Sequence, residues 1–377
     1  MKILILSAAT GGGHLRAARA IQSYIRENDP DSTVEVVDAL KCVGTLLDKT
    51  CCDGYRFLAT RTPKIFGQLY RATNEESPLN ALMTHFSGLF GLRLIPMLRK
   101  QNPDLILSTH PFATEMISHL KEKGVLSTPL ICLMTDYGPH RAWIAPRVDA
   151  YVVSNEDMIP EMVEMGAPRD SIYPFGIPVE DVFFDQKDKT ALLEEMHLEP
   201  GVPTILFMAG SFGVSGIMRI YREIDALDLR FQIIVITGRN EKLYETFRDE
   251  LSHSTRRAKL IFFTNEVEKY MHAADLLVTK PGGLTVSEAL ACNIPLAVFD
   301  AIPGQEEDNA DFLLSHNMAV RLHAGESCGA TIRTLLKDNL RLENMRTSCE
   351  RFDKSRSGEN IFWLMRRLTE PERKDAH

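Results

Sequence analysis

Near the amino terminus, the run Ser7-Ala8-Ala9-Thr10-Gly11-Gly12-Gly13-His14 sets one imidazole directly after three glycines. A histidine, with an ordinary pKa of about 6.5, can take a proton from a hydroxyl near neutrality. It can equally cap or pack the helix it opens. The glycines let backbone approach a ligand closely, and a helix start favours anionic or oxyanionic groups. The spacing is neither a dinucleotide fingerprint nor a Walker loop. A second run, Lys280-Pro281-Gly282-Gly283-Leu284-Thr285-Val286-Ser287-Glu288, has the same strand-to-helix character. Gly282 and Gly283 would expose N–H groups to a diphosphate. Glu288, one turn further on, could accept both hydroxyls of a ribose. It also lies three residues after Thr285, as a capping box requires, and spacing leaves both readings open.

Four other stretches carry candidate groups. Pro303-Gly304-Gln305-Glu306-Glu307-Asp308-Asn309 gathers amides and carboxylates that suit sugar hydroxyls, or a solvated acidic loop. Met208-Ala209-Gly210-Ser211-Phe212-Gly213 is a glycine turn able to hold a diphosphate from the opposite side. Ser108-Thr109-His110-Pro111 and Thr135-Asp136-Tyr137-Gly138-Pro139-His140-Arg141-Ala142-Trp143 concentrate polar and aromatic side chains at strand ends. Asp136 could orient His14 or act as the base itself, with His110 a further candidate; any of the three could merely satisfy strand-end backbone. No Asp-x-Asp falls at a strand end, and Asp29-Pro30-Asp31 reads as a turn. A metal-held diphosphate is therefore not expected. Backbone N–H groups, the helix dipole and Lys280 would meet leaving-group charge.

The elements that must position these groups alternate along the chain. Strands are expected at 3–7, 33–37, 105–108, 130–134 and 150–154, each a short apolar run suited to burial on both faces. A helix over 14–27 carries Ala17, Ala18, Ile21, Tyr24 and Ile25 on one stripe. Tyr173-Pro174-Phe175-Gly176-Ile177-Pro178 interrupts the pattern, and a second series follows at 204–208, 232–237, 259–263, 276–279 and 296–299. This is an α/β chain of two doubly wound, mostly parallel sheets, split as 1–178 and 179–354. A terminal helical stretch, 355–377, is expected to pack back on the first half. Ligands of such sheets sit beyond the carboxyl ends of the strands, where the motifs fall.

Composition narrows the classes further. The 377 residues are 44% hydrophobic and 25% charged, with 23 Gly and 19 Pro, which are globular proportions. No apolar run approaches the ~18–20 residues of a membrane span. The opening Met1–Leu6 reads as a buried strand rather than a signal peptide. Seven scattered cysteines suggest neither a disulfide frame nor a zinc site, and a soluble cytoplasmic chain is expected. A net charge of −8 argues against nucleic acid as a partner. Residues 41–100 depart from that average, with nine Lys/Arg against four Asp/Glu. Leu79, Leu82, Met83, Phe86, Phe90, Leu94 and Met97 recur there at helical spacing, as in an interfacial helix or one facing the core.

Taken together, Gly11–His14, Lys280–Leu290 and Pro303–Asn309 resemble a known group over nearly the whole chain. It is the GT-B glycosyltransferases of the monogalactosyldiacylglycerol synthase and processive diacylglycerol glucosyltransferase family, relatives of the enzyme that adds N-acetylglucosamine to lipid I. Thr135-Asp136-Tyr137 with His140 and Trp143 is similar to the bacterial glucolipid branch. The resemblance implies two Rossmann-like domains facing a cleft and a metal-independent, inverting transfer of hexose from a UDP-sugar to diacylglycerol, glucose favoured over galactose. His14 would deprotonate the acceptor, with Asp136 the other catalytic candidate. Glu288 would hold the ribose, the Gly282-Gly283 helix start and Ser211, Phe212 and Gly213 the diphosphate, and Gln305 and Glu306 the hexose; Gly210, Lys280, Thr285 and Asn309 would also contact the nucleotide sugar. Backbone near Val267 would read the uracil. Gly12, Gly13, His110, Tyr137 and Trp143 would face the lipid, and 41–100 an anionic membrane surface on its inner, cytoplasmic side. Another lipid-linked or soluble acceptor, a UDP-sugar sensor without turnover, and a UDP-sugar epimerase of similar fold are the competing readings.

Overall fold

The computed structural model describes residues 1–8, 12–44, 62–74, 90–208, 215–299, 301–323 and 328–370. It divides into two units, Met1–Glu180 with the chain from Lys354 on, and Asp181–Asp353.

The first unit is built on a six-stranded parallel sheet. Its strands are β1 (Lys2–Ser7), β2 (Thr33–Asp38), β3 (Leu105–Ser108), β4 (Leu130–Leu133), β5 (Ala150–Val152) and β6 (Ile172–Tyr173), in the order β2-β1-β3-β4-β5-β6. Ile3 pairs with Val34 on one side and Leu105 on the other. β3 and β4 are buried at every residue, because helices cover both faces. The helices that matter for the site are α1 (Gly13–Asn28), α2 (Pro63–Asn74), α3 (Pro111–Glu122) and a short 3-10 turn, Arg141–Trp143.

The second unit has strands β7 (Thr204–Met208), β8 (Gln232–Ile236), β9 (Ala258–Ile261), β10 (Leu276–Thr279), β11 (Leu296–Val298) and β12 (Ala319–Arg321), all parallel, in the order β12-β11-β10-β7-β8-β9. That is the strand order of dinucleotide-binding folds, reversing between β7 and β10. Three helices frame its loops: α4 (Val267–Ala273), α5 (Gly283–Ala291) and α6 (Gln305–Ser315). Its core gathers Phe207, Tyr221, Ile233, Phe247, Leu276 and Ile332.

The last described helix, α7 (Ser357–Thr369), packs on α1. The Tyr24 and Phe362 rings lie 6.4 Å apart, and the Ser357 hydroxyl donates to the Gly176 carbonyl at 2.9 Å. Gly358 has no room for a side chain, since a Cβ there would meet the Tyr24 ring at 2.8 Å.

Two strands escape the sequence pattern. β6 and β12 are edge strands of two and three residues, too short for an apolar run to register. The apolar stripe in 41–100 is described only from Phe90 on. There Leu94 is fully buried and Phe90 and Met97 pack against the first unit's core, so this end of the stripe faces inward.

Candidate active site

In the first unit the sheet order reverses between β1 and β3, and the two loops leaving these strands carry His14 and His110. Gly12 sits at the α1 N-cap with φ +78°, a left-handed conformation costly for a side chain, and nothing lies within 4 Å of a Cβ placed there. Local chemistry thus demands this glycine, and it turns the chain so that His14 opens the helix half-buried. Gly13 is the first residue of α1.

Two rings and a hydroxyl meet at His14. Its Nδ1 is 2.9 Å from Thr135 Oγ1. The His110 ring stands edge-on at 4.7 Å between centroids, and the Trp143 ring is at 6.0 Å. His110 is the N-cap of α3, where its Nδ1 accepts from Phe112 N–H at 3.2 Å. That bond puts the His110 proton on Nε2. Below it, Thr109 Oγ1 donates to Ser7 Oγ and Thr114 Oγ1 to Ser108 Oγ, both at 3.0 Å, locking β1, β3 and α3 together. Asp136 is buried beside Thr135. Tyr137 is also buried, its carbonyl accepting from Asn155 Nδ2 at 3.3 Å. The structure therefore gathers His14, His110 and Trp143, and it adds Thr135, which the motif contained but whose role its spacing did not show.

Burial pushes the His14 imidazole down to about 4, the Thr109 carbonyl offsetting part of the shift. His110 is held well below the usual range, first by burial and then by His14. His14 is thus neutral at pH 7, the form a general base needs. Between the ordinary value of 6.5 and about 4 the unfolded chain binds this proton and the folded chain does not. The stability His14 supports is complete above that window and falls as pH drops through it. If His14 is the base, the acid limb of kcat/KM sits at about pH 4, the value to which burial lowers the imidazole. Rates measured between pH 4.5 and 8 test this; a limb at 6.5 would assign the proton to another group.

In the second unit, β10 at the β7–β10 reversal leads into Lys280–Gly283. Gly210, Ser211, Phe212 and Gly213 lie outside the described residues. Gly282 caps α5 with an ordinary φ of −71°, and a Cβ there meets nothing within 4 Å. Neither strain nor packing calls for glycine here. Because α5 begins at Gly283, Thr285 is inside the helix and makes no cap with Glu288. This removes the capping-box reading. Glu288 is a carboxylate only 4% exposed within α5.

α6 abuts this loop. Asn309 is fully buried, and its Nδ2 donates to the Pro281 carbonyl at 2.9 Å. This bond braces the Lys280–Gly283 loop from α6. Gly304 precedes α6 at φ +96°, its N–H held by Glu307 Oε2 at 3.0 Å. Glu306 Oε2 accepts from Ile302 N–H at 2.8 Å. Burial raises the Glu306 carboxyl, while the Ile302 N–H and the Lys280 charge pull it down. Gln305 is half-buried at the start of α6, as is Val267 at the start of α4. Beyond β8 and β9, Arg239 lies over the exposed Phe263 ring at 4.4 Å, a pair that belongs to none of the sequence motifs. Among the described residues no cluster of three His, Cys, Asp or Glu is arranged to hold a metal ion.

Comparison with known proteins gives concordant results for the two units. Residues 14–179 match the family model for monogalactosyldiacylglycerol (MGDG) synthase, and residues 204–357 match the glycosyltransferase family 28 C-terminal domain. A processive diacylglycerol beta-glucosyltransferase of Staphylococcus saprophyticus is 34% identical over 312 residues, 82% of this chain and 78% of that protein. The Staphylococcus carnosus protein of the same name is 33% identical over 346 residues, 91% of this chain and 87% of its own. The crystal structure of MurG from Acinetobacter baumannii shares the fold, with a TM-score of 0.65 at 13% identity, covering 97% of this chain and 99% of that one. With two doubly wound units and relatives this similar along most of its length, the chain belongs to the family of the processive diacylglycerol beta-glucosyltransferases, built from an MGDG synthase domain and a family 28 C-terminal domain.

Proposed function

We propose that the protein transfers glucose from UDP-glucose to the free hydroxyl of diacylglycerol, forming a β-glucosyl diacylglycerol. The observation that carries this is its likeness, over more than four-fifths of the chain, to processive diacylglycerol beta-glucosyltransferases. The first unit receives the lipid and the second the nucleotide sugar. His14 takes the acceptor proton as the oxygen attacks the anomeric carbon from the face opposite UDP. The bond from that carbon to the diphosphate oxygen breaks, its electron pair leaves with UDP, and an α-linked donor becomes a β-glycoside.

On this reading the developing diphosphate charge rests on the N–H groups at the start of α5 and on Lys280, without a metal. Glu288 holds the ribose, and Gln305 and Glu306 the hexose. The enzyme works peripherally at an anionic membrane face. Its described helices include none long and apolar enough to cross a membrane. The basic 41–100 segment supports the peripheral reading, because α2 within it exposes Ile65 and Leu69 one turn apart.

The test is UDP release with dioleoylglycerol in mixed micelles and UDP-glucose or UDP-galactose in separate reactions. Release is expected to require the diacylglycerol, to favour UDP-glucose, to rise with anionic lipid and to persist in a chelator. Binding of UDP with no release from either donor would overturn the lipid acceptor.

A further inference from the structure

We propose that His140 is a positioning residue that ties α2 to the turn holding Trp143 against His14. Both of its ring nitrogens are committed. Nδ1 accepts from Ala142 N–H at 3.0 Å and caps the Arg141–Trp143 turn. The ring proton is therefore on Nε2, which lies 3.0 Å from the Tyr70 carbonyl of α2 and donates to it. The side chain is 5% exposed, and burial lowers its pKa, so this neutral tautomer is the resident form.

The rest of the last turn of α2 converges on the same place. The Tyr70 ring lies 4.2 Å from the His140 ring, Thr73 Oγ1 is 3.5 Å from Nε2, and Arg141 N–H donates to Asn74 Oδ1 at 2.9 Å. The 141–143 turn also packs against α2. One imidazole thus fixes two things together, the seat of α2 and the turn whose tryptophan borders the catalytic histidine. On the proposed lipid transfer, on which this inference rests, α2 is held where the acceptor enters and His140 sets its distance from His14.

Three variants separate the bonds, each made with Trp363→Phe so that Trp143 is the sole remaining tryptophan of the two in the chain. His140→Asn keeps a capping acceptor for Ala142 N–H but is too short to reach Tyr70. His140→Phe keeps a ring beside Tyr70 and loses both hydrogen bonds. Asn74→Ala frees the tie from the α2 side. His140→Asn and Asn74→Ala are expected to raise the KM for diacylglycerol about tenfold, the scale of one lost net hydrogen bond, with kcat and UDP affinity kept. Trypsin is expected to cut after the exposed Arg71 about tenfold faster in both, as a locally released helix requires. Trp143 emission stays in place in His140→Asn and shifts to the red in His140→Phe.

A His140→Asn enzyme with wild-type acceptor KM and wild-type cleavage at Arg71 overturns the inference, as does a change in melting temperature alone. Should the wild-type enzyme glycosylate no diacylglycerol, the proposed function falls, while the cleavage rates still decide whether His140 holds α2.

Discussion

Replacing His14 with alanine is expected to lower glucosyl transfer by about 10²- to 10⁴-fold, the range a positioned general base contributes, while UDP affinity stays within twofold of wild type. The two readouts separate because His14 belongs to the first unit and the proposed UDP groups to the second. At His14 the imidazole is held neutral by burial, its Nδ1 meets the Thr135 hydroxyl, and the rings of His110 and Trp143 limit its rotation. None of these contacts supplies an alternative base at the same position. Asp136 adjoins Thr135 in sequence, so Asp136→Asn is the companion variant. If His14→Ala retains more than a tenth of the activity and Asp136→Asn does not, the proton goes to Asp136. If neither variant alters the output of a protein that binds UDP, a sensor is indicated.

The second large effect is expected at Glu288. A buried carboxylate accepting two ribose hydroxyls makes two charge-assisted hydrogen bonds, each worth about 1.5–3 kcal/mol. Glu288→Ala is therefore expected to weaken UDP binding by about 10²- to 10⁴-fold, and to raise the donor KM similarly. The specific control is 2′-deoxy-UDP. Wild-type protein should discriminate against it, and the variant should bind it and UDP nearly alike, because the group that senses the 2′-hydroxyl is gone. Glu288→Gln preserves the volume inside α5 and keeps one acceptor, so its loss should be smaller. Calorimetric titration of the three proteins with both nucleotides decides the matter. A fall in melting temperature with UDP affinity unchanged would make Glu288 a structural carboxylate.

Much of the fold was legible because its strands are covered on both faces. Such strands read as uninterrupted apolar runs, and β1, β3, β4, β7, β8 and β10 all did so. β6 and β12 did not, since an edge strand of two or three residues carries too few side chains to show a period. The apolar stripe ending at Met97 illustrates a different ambiguity. Interfacial and core-facing helices share one periodicity, and only the packing of Leu94 shows which way its described end points.

The sequence by itself determined the α/β class, the strand-to-helix loops and the family, because these depend on residue type and spacing along the chain. Tertiary structure decided which of those groups meet. Thr135 lies 121 positions from His14, and His140 lies 70 from Tyr70, separations over which spacing carries no distance information. Asn309 braces the Pro281 carbonyl, 28 positions away, a contact that its place in an amide- and carboxylate-rich run does not reveal. Thr285 and Glu288 had the spacing of a capping box, yet the helix starts before them. In each case the deciding quantity was where a backbone N–H or carbonyl finds its partner, and that is settled only when parallel strands bring distant loops to one edge of a sheet.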